Sequence, residues 1–217
     1  MAQHHVPEDM LVAYAAGSLG ESESLLVACH LTLCPECREL VDDAETIAAA
    51  LALNDERELP PADRAGLNGL LARVLDRLDR PDATFGTSPD PTAGAFDPKG
   101  QLPAPLYQLI GPLEPLSWHT PLPGVQVFEL PLPRDDSLIQ LVMLQPGSHI
   151  PAHRHPGFEA TLVLLGGYVD DEGKRFVRGD TSLRDNSKPH QQWVDKGEPC
   201  LWLLVAAGQP ILNRPAE

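Results

Sequence analysis

The chain has 217 residues, 42% of them hydrophobic, with 16 Lys and Arg against 31 Asp and Glu, a formal net charge of −15 and an isoelectric point near 4.8. This balance argues against direct nucleic-acid binding, because phosphate contacts need clustered cations, and no apolar run reaches the ~20 residues that cross a bilayer. The polar first residues predict no secretory leader, and the four cysteines, Cys29, Cys34, Cys37 and Cys200, fit metal ligation better than a disulfide framework, so a cytoplasmic protein is expected.

Acid gathers at the front of the chain. Through Gly86 there are 6 Lys and Arg against 16 Asp and Glu, and beyond it 10 against 15. That field attracts a basic partner, although a solvated acidic helical surface has the same composition. Residues 10–16 (MLVAYAA) predict a short helix stopped at Gly17. Residues 21–33 predict a second helix, with Leu25, Leu26, Cys29 and Leu33 at helical spacing. Pro35 suits the first turn of a third helix over 35–53, striped by Leu40, Val41, Ile47 and Leu51.

A polar stretch ending in Pro60-Pro61 precedes a fourth expected helix, about 62–80. Its apolar stripe is Leu67, Leu70, Leu71, Val74, Leu75 and Leu78. The stripe either packs on the first three helices or lies on a partner protein. Residues 81–104 are rich in Pro, Gly, Ser, Thr and Asp and predict a flexible linker. Residues 105–217 predict short strands over 125–132, 137–144, 160–165, 175–177, 191–194 and 200–205, separated by Gly and Asp turns. The expected organisation is therefore α + β in two domains: a small helical domain over 1–80 and a β-barrel or sandwich over 105–217.

Two metal-ligand sets stand out, one in each half. His30, Cys34 and Cys37 sit at i, i+4 and i+7, and His4 and His5 precede the first helix as sources of a fourth ligand. Thiolate and imidazole donors in a set of four suit a closed tetrahedral zinc site, and a metal clip would stabilise a three-helix unit with little core of its own. Cys29 points to a neighbouring face and is expected in the core. In the second half, His153 and His155 are two apart on a strand and share a face. Glu159 follows a Pro156-Gly157 turn and brings a carboxylate back to the same centre, and His190 completes the set. Three imidazoles and a carboxylate suit Zn, Mn, Fe or Ni. His149 is expected at the rim of this site and His119 at the surface.

The run His30-Leu-Thr-Leu-Cys34-Pro-Glu-Cys37, after an acidic helix and the segment Leu11-Val12-Ala13-Tyr14-Ala15-Ala16-Gly17-Ser18-Leu19, resembles the motif of zinc-binding anti-sigma factors over about residues 1–80. The resemblance implies a helical domain that holds an extracytoplasmic-function sigma factor away from RNA polymerase. It also implies a fourth zinc ligand upstream of the first helix, which His5 matches best and His4 less well. Gly147-x5-His153-x-His155-x3-Glu159-x6-Gly166 resembles the first motif of the cupin barrel, a double-stranded jelly roll. Gly179-Asp180 with His190 resembles the second, but without a Pro-x-Gly before His190 or an Asn soon after it. Joined, the halves resemble the ChrR-type subgroup of anti-sigma factors, in which the cupin-like domain serves the response to oxidative stress, singlet oxygen in the best-known branch.

The leading expectation is a non-enzymatic repressor. The zinc-clipped helices and the Leu67–Leu78 stripe would occlude a sigma factor, and the cupin-like domain would sense an oxidant or small ligand. Thiolate oxidation at Cys34 or Cys37 with zinc loss is a second route to release. The rival is a metal-dependent cupin enzyme, of dioxygenase or isomerase type, with a helical appendage, in which Arg154, Gln191 or Gln192 would meet a substrate. A third reading is a structural metal module that tethers partners without sensing.

Overall fold

A computed structural model describes residues 2–53, 69, 72, 102–132, 137–185 and 188–212, with Leu53, Ile211 and Leu212 described by their backbone alone. The stripe Leu67, Leu70, Leu71, Val74, Leu75 and Leu78 lies outside the described residues. Packing divides the chain into two units, residues 1–45 with 95–217, and residues 46–94. The first unit holds both metal-ligand sets and every described strand.

Helix α1 spans Glu8–Ala15, α2 Glu21–Leu33 and α3 Pro35–Leu53. Gly17, at φ +65°, takes the left-handed position after α1, and its N–H donates to the Tyr14 carbonyl at 2.9 Å. Between α2 and α3 the break falls on Cys34, which is extended at φ −123° and ψ 101° because Pro35 disfavours a helical residue before it. Val6, Leu11, Val27, Cys34, Cys37 and Val41 form a small core among these helices. Of the stripe expected on α3 only Val41 is buried; Leu40, Ile47 and Leu51 are exposed.

A short helix, α4 (Ala104–Ile110), precedes the strands. It begins beside Pro103 and stops at Gly111, at φ +70°. Leu102 and Leu106, at the end of the expected linker and the start of the β region, are fully buried.

Eleven described strands follow: β1 (His119–Leu122), β2 (Val125–Glu129), β3 (Leu138–Leu144), β4 (His149–Arg154), β5 (Glu159–Leu165), β6 (Gly167–Asp170), β7 (Arg175–Val177), β8 (Thr181–Arg184), β9 (His190–Val194), β10 (Cys200–Ala206) and β11 (Ile211–Leu212). They form two antiparallel sheets, ordered β1-β2-β3-β10-β5-β8 and β11-β4-β9-β6-β7. No pairing joins the two sheets among the described residues, so the architecture is a two-sheet sandwich. Val142, Val163, Tyr168, Phe176, Val194 and Trp202 pack between the sheets.

The outer face of the six-stranded sheet is covered by α2 and α4, where Leu26, Cys29 and Leu106 meet Leu141, Leu162 and Leu203. Strand β10 is therefore buried on both faces along all seven residues, which accounts for its unbroken apolar run in place of an alternating one. Among the described residues no helix is long and apolar enough to cross a membrane.

Two candidate metal centres

The break at Cys34 builds the first centre. It turns Cys34 and Cys37 back towards His30 in the last turn of α2, while the segment ahead of α1 brings in His5. His5 Nδ1 lies 3.2 Å from Cys34 Sγ and 3.5 Å from Cys37 Sγ, and His30 Nε2 lies 3.2 Å from Cys37 Sγ. One donor atom from each of the four residues lies within 4.8 Å of every other. A tetrahedral zinc with Zn–S of ~2.3 Å and Zn–N of ~2.0 Å has N-to-S edges of about 3.5 Å, so the donor set and its spacing fit that ion. All four cysteines are free thiols.

The electrostatics point the same way. Burial, and then the Cys34 thiol beside it, pushes Cys37 up to about 12. Burial pushes His30 down to about 4, which keeps its imidazole neutral. The buried Cys37 thiol therefore resists becoming a thiolate until a cation neutralises it. The surrounding groups orient the imidazoles: His30 Nδ1 lies 2.9 Å from the Gly179 carbonyl, and His5 Nε2 lies 3.4 Å from the Glu36 carboxylate. A proton on His30 Nδ1, donated to that carbonyl, leaves the Nε2 lone pair facing the thiols.

His4 is placed elsewhere. Its Nε2 lies 3.0 Å from the Arg175 carbonyl and its ring packs 4.8 Å from Phe176. The segment carrying His4 and His5 is held by Asp180, a fully buried carboxylate between β7 and β8. Its Oδ1 accepts the N–H groups of Gln3 and His4, its Oδ2 accepts the Val177 N–H at 2.9 Å, and the Thr181 N–H donates to the His4 carbonyl at 2.9 Å. The Gly179-Asp180 pair was visible as a motif fragment, but its reach to the far end of the chain had no signal in the sequence.

The second centre lies between the sheets. His153 is near the end of β4, His155 just beyond it, Glu159 opens β5 and His190 opens β9. Glu159 Oε2 lies 3.0 Å from His190 Nε2, 3.4 Å from His155 Nε2 and 3.9 Å from His153 Nε2. His153, Glu159 and His190 have donor atoms mutually within 4.8 Å; His155 reaches the shared oxygen from outside that trio. His153 Nδ1 and His155 Nδ1 lie 3.0 and 2.7 Å from the carbonyls of Pro151 and Gly208, which directs both Nε2 atoms inward.

Glu159 Oε2 and both ring nitrogens of His190 are buried without hydrogen-bond geometry to any described group, despite their 3.0 Å approach. Burial alone would raise the Glu159 carboxyl, but the imidazoles around it outweigh that and hold it below its usual value; burial lowers His153. A buried carboxylate among imidazoles, with orphaned donor atoms, fits a divalent transition metal.

His149 is exposed, stacked 4.9 Å from Trp193 with its Nε2 3.1 Å from Gln191 Oε1. His119 is exposed at a cavity of about 240 Å³ that opens beside the second centre. Arg154 is exposed, whereas Gln192 is buried and lines the cavity. Trp202 also lines it, on the strand expected over 200–205, where the sequence reading singled out no site residue.

The family description "ChrR cupin-like domain" matches residues 109–209. The anti-sigma-E factor ChrR of Cereibacter sphaeroides is 37% identical over 210 residues, 96% of this chain and 91% of that protein. A crystal structure of Rhodobacter sphaeroides SigE in complex with the anti-sigma ChrR aligns with a TM-score of 0.76 and 31% identity, over 95% of this chain and 99% of that one. The structure of KdgF from Halomonas sp. aligns with a TM-score of 0.38 at 18% identity, over 43% of this chain and 87% of that one. With a full-length relative at this identity, the chain belongs to the ChrR family of anti-sigma factors.

Proposed function

We propose that this protein sequesters an extracytoplasmic-function sigma factor in the cytoplasm and releases it under oxidative stress, with singlet oxygen as one candidate trigger. The single observation that carries the sequestration is the full-length likeness to a chain crystallised in complex with its sigma factor. In this reading residues 1–80 form a zinc-clipped helical domain that docks the partner, 81–104 link, and 105–217 form a cupin barrel that senses. His5, His30, Cys34 and Cys37 hold Zn²⁺, and His153, His155, Glu159 and His190 hold Zn²⁺ or another of Mn, Fe and Ni. Zinc would supply a rigid link between the start of the chain and the α2–α3 turn, a contribution to folding that a core this small does not make alone.

The residues suit the role. Leu40, Ile47 and Leu51 are spaced 7 and 4 apart on α3, so they share a face, and they are 45%, 61% and 68% exposed. An apolar face on an acidic helix is what a helical partner with basic surroundings would cover. The Leu67–Leu78 stripe, expected from the sequence, is proposed to meet the partner as well.

The test is co-expression with each extracytoplasmic-function sigma factor of the same genome. A stable complex is expected, and both His30→Ala and Cys34→Ala should break it. Failure to form a complex, or undiminished binding by both variants, would overturn the proposal.

A further inference from the structure

We infer that residues 207–210, the connection from β10 to β11, form a gate over the second centre, and that gate and metal hold each other in place through His155. The inference rests on the sensing reading of the cupin-like part and names the moving element for it.

The connection crosses from one sheet to the other past the ligands. Before it, Ala206 on β10 lies opposite Glu159 on β5, and the Ala207 N–H extends that ladder by donating to the Phe158 carbonyl at 3.0 Å. After it, Ile211 and Leu212 on β11 lie opposite Arg154 and His153 on β4. Midway, the Gly208 carbonyl lies 2.7 Å from His155 Nδ1. The segment therefore meets Glu159, His155 and His153 in turn.

Two glycines shape its seat. A Cβ on Gly157 would stand 2.6 Å from the Ala207 Cβ, and one on Gly208, at φ +136°, would stand 3.1 Å from Pro156 Cγ. The two stretches approach more closely than side chains allow, and Gly208 holds a backbone conformation that other residues rarely adopt.

The middle of the gate is lightly held. Ala207, Gln209 and Pro210 are exposed, and exposed backbone with few buried contacts is the kind that opens locally at low cost. Gln209 and Pro210 also line the cavity beside the centre. Outward movement of the segment widens the mouth of that cavity and takes the acceptor from His155 in one motion. His155 is the ligand placed to feel the loss. The donor atoms of His153, Glu159 and His190 lie mutually within 4.8 Å, and His155 reaches Glu159 Oε2 from outside that trio, at 3.4 Å. With the Gly208 carbonyl in place, Nδ1–H is held and Nε2 faces the centre; without it the ring is free to turn. A metal that takes His155 as a ligand therefore favours the closed gate, and by linkage the closed gate favours the metal.

The test is hydrogen exchange, read by mass spectrometry, on the full chain with zinc at the first centre, before and after titration with Mn²⁺, an ion that thiolates bind poorly. The peptide covering 207–212 should exchange at least ~5-fold more slowly once manganese fills the second centre, the low end of an ordinary coupling. In His155→Ala the same peptide should not respond, although three donors remain for the ion. Gly208→Ala should weaken manganese ~10-fold, measured by the EPR signal of the free ion, and leave zinc at the first centre unchanged. No manganese binding, exchange indifferent to manganese in the unaltered chain, or a response that survives His155→Ala overturns the inference. The unaltered chain decides the matter even if a variant misfolds. A gate that answers to the metal in a chain whose sigma complex ignores oxidants would sink the sensing reading and leave the gate standing. Release by an oxidant with an indifferent gate would do the reverse.

Discussion

Four cysteines of equal burial divide by what faces them. Cys29 packs among Leu26, Leu102 and Leu106, and burial pushes its thiol up to about 12; Cys200 is pushed to about 12 by burial, then by Asp195. Neither has a ligand beside it. Cys34 and Cys37 face two imidazoles. Alkylation followed by mass spectrometry should therefore modify none of the four in the metal-loaded chain. It should modify two after chelation, when the helices lose their clip, and four only in denaturant. Modification of Cys29 at the same step as Cys34 would show that the sheet-packed face of α2 opens together with the cluster.

Elements whose residues obey one dominant rule were legible from the sequence, and the others were not. The bounds expected for α2 and α3, 21–33 and 35–53, coincide with the helices, because acidic starts, an apolar spacing and Pro35 agree. Strands β3, β5 and β10 announced themselves as apolar runs. Strands β6 and β8 carry Gly, Asp and Arg on short segments and gave no alternation to read, and β4 was expected only as the strand that carries His153. Helix α4 is seven residues long and followed a proline-rich stretch that reads as linker. The grouping of His30 with Cys34 and Cys37, and of His153 with Glu159, was legible because spacing within a turn or strand encodes a shared face; His5 and His190 were singled out by the family resemblance, and the Asp180 contact, which joins residues about 177 apart, by neither.

That contact and one turn carry predictions for elements. Removing the Asp180 carboxylate leaves the N–H groups of Gln3, His4 and Val177 without their acceptor and frees the segment that carries His5. Asp180→Ala should weaken zinc at the first centre by ~10–100-fold, measured by competition with a chromogenic chelator, and leave metal at the second centre in place. Gly166, at φ +67°, links β5 to β6, and a Cβ there would stand 2.2 Å from the Pro199 carbonyl oxygen. Gly166→Ala should cost about 3 kcal/mol or more in denaturant unfolding, since the conformation and the backbone contact both oppose a side chain.

For the whole molecule the question is what joins the two centres. Strand β5 opens with Glu159 and pairs with β8, Glu159 opposite Arg184 and Leu162 opposite Thr181. The Thr181 N–H donates to the His4 carbonyl, one residue from His5, and the Gly179 carbonyl lies against His30. The β5–β8 pair thus reaches the ligands of both sets, so a rearrangement around Glu159 has a short covalent and hydrogen-bonded route to the helical cluster. Spatial connection of this kind does not by itself establish coupling. Glu159→Gln tests it, because it removes the charge that would hold a cation and keeps the side chain's shape. The variant should co-purify with the sigma factor as the unaltered chain does, yet fail to release it when a sigma-dependent reporter strain is exposed to singlet oxygen, whereas His30→Ala should leave the reporter on throughout. Should Glu159→Gln lower the unfolding midpoint but respond to the stress normally, the second centre is a structural support and the sensing reading fails with it.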